Sequence, residues 1–472
     1  MTATLPAKAT ALPIRNRWYV TLFMSDLWER FGFYGMQAIL VLYAAAPTTD
    51  GGLGLPAADA AALFGAWMGL TFMLSLPGGW LADRVLGTRP ALQIGGALIT
   101  LGYVGLALPV TFTTPVGLLL VSAGTGLFKP NHQALLTMLL GARKHREAGI
   151  SLIYVGIQLS ALTAPLITGY LGERVNWHAG FAAAAVAMAI GITQLSLSTK
   201  QFGDAGRVAA RPLTDRTVLA RWGTIGAVAI TGVIATSVIN PRITIILVGL
   251  CTLVAPIFGY RALRRHPDLT VEHGQRLRTF LAIFLCWTLF WLMIAQDGSV
   301  LTLFARDHVD RELFGATIPT SWLQSATPLF ILVLAPVFAY FLARNSASVP
   351  GKLALGLVLA GGSFLIMAIG VNDEKTSIFW LLAVYLMHAC GELIVAAVGI
   401  AAAAQVLPKS FISQMMGLLW LFAALGGGLG SQLARLSDKL PPSAYFLGLG
   451  AIGVGVAALT WTRRHAVASG LE

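Results

Sequence analysis

A succession of long apolar segments constrains this chain more than any other feature. A helix that crosses a bilayer needs about 20 predominantly apolar residues, and roughly 14 segments of that kind fill the 472 residues. Six come first, near 18–45, 57–82, 88–110, 113–140, 148–171 and 177–198. A polar, Arg-rich stretch over 200–221 interrupts them. Two very apolar segments follow, near 222–239 and 243–262, and then a second basic loop over 261–278. Six more lie near 279–305, 319–342, 350–371, 377–405, 413–434 and 442–462. The pattern predicts an all-α integral membrane protein. Residues 1–199 form one six-helix bundle, 200–278 a linker with two inserted transmembrane helices, and 279–472 a second six-helix bundle.

Composition supports the membrane reading. Only 11% of the residues are charged and 56% are hydrophobic, whereas soluble domains carry about 25% charged residues. The net charge of +12 does not imply a nucleic-acid partner, because the basic residues cluster in short loops between apolar spans. Most of the 32 Lys and Arg fall in alternate loops, such as Arg143, Lys144 and Arg146, or Arg261, Arg264, Arg265, Arg276 and Arg278. That bias predicts both termini on the cytoplasmic side. Cys251, Cys286 and Cys390 lie in apolar runs with no C-x-x-C pair, so neither a disulfide nor a metal site is expected. The basic first 17 residues lack a small-residue cleavage site, and the span after them contains charges, unlike a signal peptide.

The chemistry lies in charges within spans. An ionisable side chain at bilayer depth costs at least about 2.5–3.5 kcal/mol, so it faces a cavity or a partner. Asp26, Glu29 and Arg30 stand three and four residues apart on one face of the first span, and Phe33, Tyr34 and Gln37 extend that stripe. Two acids beside one guanidinium make a proton site. A substrate carboxylate that draws Arg30 away changes the proton affinity of Glu29. A permanent ion triad is the alternative reading.

Two family resemblances follow from motifs. Gly79-Trp-Leu-Ala-Asp83-Arg84-Val-Leu-Gly87-Thr-Arg89 resembles the G-x-L-A-D-R-x-x-G-x-R loop of the major facilitator superfamily. It implies closely approaching helices and a cytoplasmic lock between Asp83 and the arginines. Asp26-Leu-Trp-Glu29-Arg30-Phe31-Gly-Phe33-Tyr34-Gly35 resembles the E-x-x-E-R-F-x-Y-Y-G motif of the proton-dependent oligopeptide transporter family. Gly124-Thr-Gly-Leu-Phe128-Lys129-Pro130-Asn131, Arg146 to Tyr154, Phe290-Trp291 to Phe304, Gly391-Glu392-Leu and Met415-Met-Gly417 continue that resemblance along the chain.

The resemblance implies a major facilitator fold and a proton-coupled symporter that imports di- and tripeptides by alternating access. It also implies a monomer in the bacterial cytoplasmic membrane, surrounded by lipid, with no cofactor beyond the coupling proton. Arg30 and Lys129 would hold the peptide carboxylate and Glu392 the ammonium, with Tyr34, Gln158, Trp291 and Thr327 lining the site. Lys129 could instead be a snorkelling surface lysine, and Glu392 a packed, protonated acid. Tyr34 and Trp291 could simply pack the bundle.

The sequence departs from the family pattern in places. Asp26 stands for Glu, Phe33 for Tyr, Phe72 for Tyr, Gln158 and Thr327 for Asn, and Gln37 for a frequent Arg. Ala295 occupies the span-seven position where many members carry Glu. Asp297, two residues on, would lie on the opposite face of a continuous helix and so would not replace it. Other classes predict features that are missing. The eight His are scattered, with His388 reading as a satisfied core residue, and no His/Cys/Asp constellation has ligand spacing. An enzyme is therefore not expected, and no repeated filter segment suggests a channel. The nearest rival is a family member that carries nitrate or another small solute.

Overall fold

The computed structural model describes residues 16–471 except 111, 142–145, 211, 214–216, 219, 221–222, 225, 227, 229–230, 233–234, 236–239, 314, 345–346, 372–374 and 409–410. Most of the first inserted segment (222–239), and with it Arg143 and Lys144 of the basic loop, lies outside the described residues.

The architecture is all-α, as the apolar segments require. The helices are α1 (Arg17–Ala45), α2 (Ala57–Leu81), α3 (Thr88–Ala107), α4 (Thr113–Leu140), α5 (Arg146–Tyr170) and α6 (Trp177–Leu197). Then come α7 (Pro241–Arg264), α8 (Val271–Ile294), α9 (Val300–His308), α10 (Ala326–Arg344), α11 (Val349–Gly370) and α12 (Ile378–Ala403). The chain ends with α13 (Ile412–Ala434), α14 (Pro442–Thr462) and the short α15 (Arg464–Ser469). Among the described residues, 11 helices are long and apolar enough to cross a membrane. Helices α1 and α4 have the length, at 29 and 28 residues, but carry the charges singled out above. Many large apolar side chains are exposed, among them Leu197 at 80% and Val333 at 64%, as expected of surfaces that face lipid.

Small residues set the close helix approaches. Helix α3 packs along α4, where a Cβ on Gly95 would meet the Gly124 carbonyl oxygen at 2.8 Å and one on Gly102 the Gly117 carbonyl at 2.7 Å. Helix α2 crosses α4 at Gly78, whose Cβ would overlap the Gly126 carbonyl. The close approach thus belongs to Gly78 and not to Gly79, where a Cβ would stand 3.9 Å from Pro130. Helix α2 also packs against α13, α11 packs between α12 and α14, and α1 packs against α5 and α6.

Two expectations are corrected. The span near 279–305 is not continuous, because α8 stops at Ile294 and α9 starts at Val300. Gln296 donates back to the Leu292 carbonyl at 3.1 Å, Ser299 to the Ala295 carbonyl at 2.7 Å, and Thr302 to the Asp297 carbonyl at 2.6 Å. Gly298 lets the Phe64 ring close against the break, where any Cβ would overlap it. The second basic loop is also shorter than expected, since α7 runs on to Arg264 and α8 begins at Val271. Its cations therefore sit largely on helix ends.

The inserted α7 is placed between the flanking bundles. Ile245 and Val248 pack with Ala62 and Ala66 of α2, and a Cβ on Gly428 of α13 would overlap Thr252. At its start, the Arg242 guanidinium donates to buried Asp59 of α2 at 2.9 Å through Nε, and Arg435 at the end of α13 approaches the same carboxylate at 3.5 Å. One acid thus ties three elements together. Asp59→Ala would strand Arg435, whose Nε and Nη2 are already without partners. We expect a loss on the order of 1–3 kcal/mol, smaller than for a fully buried pair because Arg242 is exposed. Thermal unfolding in detergent checks it, and a parent-like melting temperature would show that the three-way tie is not stabilising.

Candidate functional site

A cavity of about 340 Å³ lies between α1, α4 and α5 on one side and α8, α10, α12 and α13 on the other. Every residue expected to bind substrate lines it, namely Arg30, Tyr34, Lys129, Gln158, Trp291, Thr327 and Glu392. They come from six helices and from positions spread over most of the chain.

The three charges of α1 are buried, but they do not form one triad. Glu29 accepts from both Nε and Nη2 of Arg30 at 2.6 Å, a bidentate pair. Asp26 turns to α4, where Lys129 Nζ donates to its Oδ1 at 2.9 Å. The arrangement is two acid–base pairs, each cation reaching the cavity while its acid stands behind. Helical spacing placed Asp26 and Arg30 on one face, but the α4 side chains across from that face decide the pairing. The Arg30 guanidinium also stands over the Phe33 ring at 4.4 Å from its centre, a contact the Phe33 substitution keeps.

His132 is the residue sequence reasoning missed here. It is fully buried, one turn beyond Lys129, and its Nδ1 lies 3.5 Å from Asp26 Oδ1 while Nε2 meets the Leu22 carbonyl at 2.9 Å. Its spacing of three from Lys129 was the available signal.

Across the cavity, Glu392 makes no ion pair or hydrogen bond with another described residue. Around it stands an aromatic wall. Phe72 stacks on Trp420 at 5.4 Å and meets Trp291 edge-on at 6.0 Å, and Trp287 packs 5.8 Å from Trp291. The Nε1 atoms of Trp287 and Trp291, the Thr327 hydroxyl and the Tyr385 hydroxyl are buried without a partner. All four side chains line the cavity. Orphaned buried polar groups are costly, so the site suits a ligand that supplies acceptors. Trp287, Tyr385 and Trp420 were not singled out in the sequence because aromatic residues in apolar spans read as packing.

The span-seven region also differs from expectation. Ala295 is buried, but because the helix breaks there, Asp297 does not follow the face rule of a continuous helix. It lines the cavity, and its Oδ1 lies 2.8 Å from His388 Nδ1. His388 is thus satisfied, as expected, but by an acid of the cavity wall.

Polar contacts tie α5 and the turn after it, Leu171–Val175, to the segment leading into α10. Glu173 accepts from the Thr320 amide at 2.8 Å, the Ser321 amide at 2.8 Å and the Ser321 hydroxyl at 2.6 Å. Trp322 donates to the Leu166 carbonyl at 2.9 Å and Ser325 to the Leu162 carbonyl at 2.8 Å. Arg174 donates to the Thr317 carbonyl.

The motif between α2 and α3 lies apart from the cavity. Asp83 and Arg84 fall in a widened helical turn, Ala82–Leu86, and Gly87 has φ 86°, a backbone region that favours glycine. The expected Asp83 lock is not formed, since Asp83 is exposed and makes no ion pair with a described residue. Arg89 instead donates to the Gly203 carbonyl at 2.5 Å and the Thr199 carbonyl at 2.9 Å. These carbonyls belong to the 3₁₀ turn Thr199–Phe202 that follows α6 and to its capping residue.

Comparison with known proteins agrees with this architecture. A sequence model of the POT family matches residues 90–454. An uncharacterized transporter, YclF, of Bacillus subtilis (strain 168) is 34% identical over 445 residues, which is 92% of this chain and 90% of that one. A di-/tripeptide transporter of Lactococcus lactis subsp. cremoris is 31% identical over 463 residues, 93% of each chain. Among solved structures, a peptide transporter POT in complex with sulfate superposes with a TM-score of 0.91 at 33% identity, covering 98% of this chain and 97% of that one.

Proposed function

Because the chain belongs to the POT family, we propose that it is a proton-coupled symporter that imports di- and tripeptides by alternating access. The observation that carries this reading is the charge layout of the cavity. Two cations, Arg30 and Lys129, reach it from α1 and α4, and an acid without a described ion-pair partner, Glu392, reaches it from α12. A peptide is a zwitterion, and its ends match that layout. Its backbone carbonyls would meet the unpartnered donors of Trp291 and Thr327. A volume of about 340 Å³ falls in the usual range for small-ligand sites of about 300–1,000 Å³. The names of relatives such as the Lactococcus lactis di-/tripeptide transporter support the substrate class.

In this reading residues 1–199 and 279–472 are the two halves that rock about the site, and 200–278 ties them through α7. The peptide carboxylate takes Arg30 from Glu29 and Lys129 from Asp26. Each released acid then favours a proton, because it has lost its cation. Peptide and proton are thereby bound together. Gln158 and Tyr34 complete the wall. With both termini in the cytoplasm of a bacterial inner membrane, the end tied together at Glu173 is the outer one. The protein acts as a monomer, since one chain builds the whole cavity, and needs no cofactor.

Uptake into proteoliposomes tests the reading. We expect a labelled dipeptide to accumulate with an inward proton gradient and only to equilibrate without it, while nitrate is not accumulated. Proton-driven nitrate uptake without dipeptide uptake would overturn it. Lys129→Ala gives a finer check. It should weaken transport of free dipeptides at least about tenfold, a cost of about 1.4 kcal/mol for one charge-assisted contact. A C-terminally amidated dipeptide should lose less. Equal losses for both would assign Lys129 a structural role.

A further inference from the structure

The proposed proton coupling leaves one buried titratable cluster unused, formed by Asp297, His388 and Ser363. Ser363 Oγ lies 2.7 Å from the Ala360 carbonyl and 2.7 Å from His388 Nε2. A hydroxyl has one hydrogen. Ser363 gives it to the carbonyl, which cannot donate, so Nε2 must carry the hydrogen shared with Ser363. The other ring nitrogen, Nδ1, stands 2.8 Å from Asp297 Oδ1. In a neutral imidazole protonated at Nε2, Nδ1 offers only a lone pair, and so does a carboxylate oxygen. A contact of that length therefore needs a proton between them. The pair is either imidazolium with carboxylate or imidazole with carboxylic acid. Both states hold one proton more than neutral imidazole with carboxylate.

The buried His132–Asp26 pair is a useful contrast. His132 Nδ1 lies 3.5 Å from Asp26, outside hydrogen-bond reach, and is unpartnered. No proton has to be placed there.

Access favours exchange with the site. His388 is fully buried, while the Asp297 side chain is 14% exposed and lines the cavity. Its neighbours are acidic or neutral. Glu392 lies one helical turn from His388 on α12, and Tyr385 on the same helix faces Asp297. Helix α11 presents Ser363 and the Phe364 ring, α14 presents Tyr445 through Gln296, and α2 presents Phe64. The cations Arg30 and Lys129, with Tyr34, stand across the cavity. The break at 295–299 is what turns Asp297 toward His388.

We propose that Asp297 and His388 form a proton-binding site on the cavity wall opposite Arg30, holding one exchangeable proton, so that each part of the transport site carries its own. The proposal rests on the proton-coupled reading above. Asp297→Asn tests it well, because an amide N–H can donate to Nδ1 and mimics the loaded pair permanently. We expect the variant to lose at least about tenfold in the dipeptide accumulation supported by one pH unit, the worth of one proton. Exchange of peptide across the membrane without a gradient should remain detectable, because it needs no net proton flow. Asp297→Glu should recover part of the loss. In parallel, ¹⁵N-histidine spectra, with the His388 signal assigned by His388→Gln, should show a protonated or proton-sharing Nδ1 in the parent and an unprotonated, accepting Nδ1 in Asp297→Asn. A parent without proton-driven uptake would overturn the transport reading itself. A coupled parent matched by Asp297→Asn, or a parent Nδ1 free of any proton, would overturn this inference alone. If Asp297→Asn melts early, the parent spectrum still decides.

Discussion

Glu29→Gln should abolish gradient-driven peptide accumulation while sparing exchange. Glu29 holds Arg30 through two bonds of 2.6 Å in the empty site, and coupling in this reading is the hand-over of Arg30 from that acid to the peptide. A glutamine is neutral at every pH, so it neither locks Arg30 nor takes up a proton when Arg30 leaves. The carrier would then reorient whether or not a proton is bound, including at the Asp297 site. One pH unit supports roughly tenfold accumulation per coupled proton, and in the variant the ratio should fall to about one. Peptide affinity should not weaken, because the competitor of the peptide carboxylate is gone. Uphill uptake measured at parent level would remove Glu29 from the coupling path. A large loss of affinity would mean that the pair organises the site and does not compete with substrate.

Glu392→Gln is the sharpest test of substrate class. Glu392 makes no ion pair with a described residue in the empty cavity, so its removal strands no partner and the fold should survive. With peptide bound, its loss leaves the ammonium facing neutral aromatic and amide groups away from bulk water. Losing one partner of such a pair costs on the order of 2–5 kcal/mol, at least roughly thirtyfold in affinity. N-acetylated dipeptides, already poor ligands of the parent, should lose little more. Calorimetry or ligand-induced shifts in melting temperature on matched free and acetylated pairs will measure the difference. Free dipeptides that bind the variant as tightly as the parent would exclude Glu392 as the ammonium site and favour a small anion.

Most of the spans, the order of motifs and the seven cavity residues Arg30, Tyr34, Lys129, Gln158, Trp291, Thr327 and Glu392 are legible in the sequence. Lipid makes each of these visible. It demands apolar runs of fixed length, and it makes a charge within one so costly that Asp26, Glu29, Arg30, Lys129 and Glu392 stand out singly. The ends of α4 and α14 fall at the sequence-derived limits for the same reason. Tertiary structure alone decided who pairs with whom. Asp26 meets Lys129 and approaches His132 because α4 lies across from it, not because of any spacing on α1. Arg89 serves the carbonyls after α6, while Asp83 stays outside. Asp297 reaches His388 because the chain breaks after Ile294, where backbone turns and the Phe64 ring override the helical period that sequence reasoning assumed. Periodicity predicts which face a residue takes within one helix; it is silent on which helix lies opposite and on where the period stops.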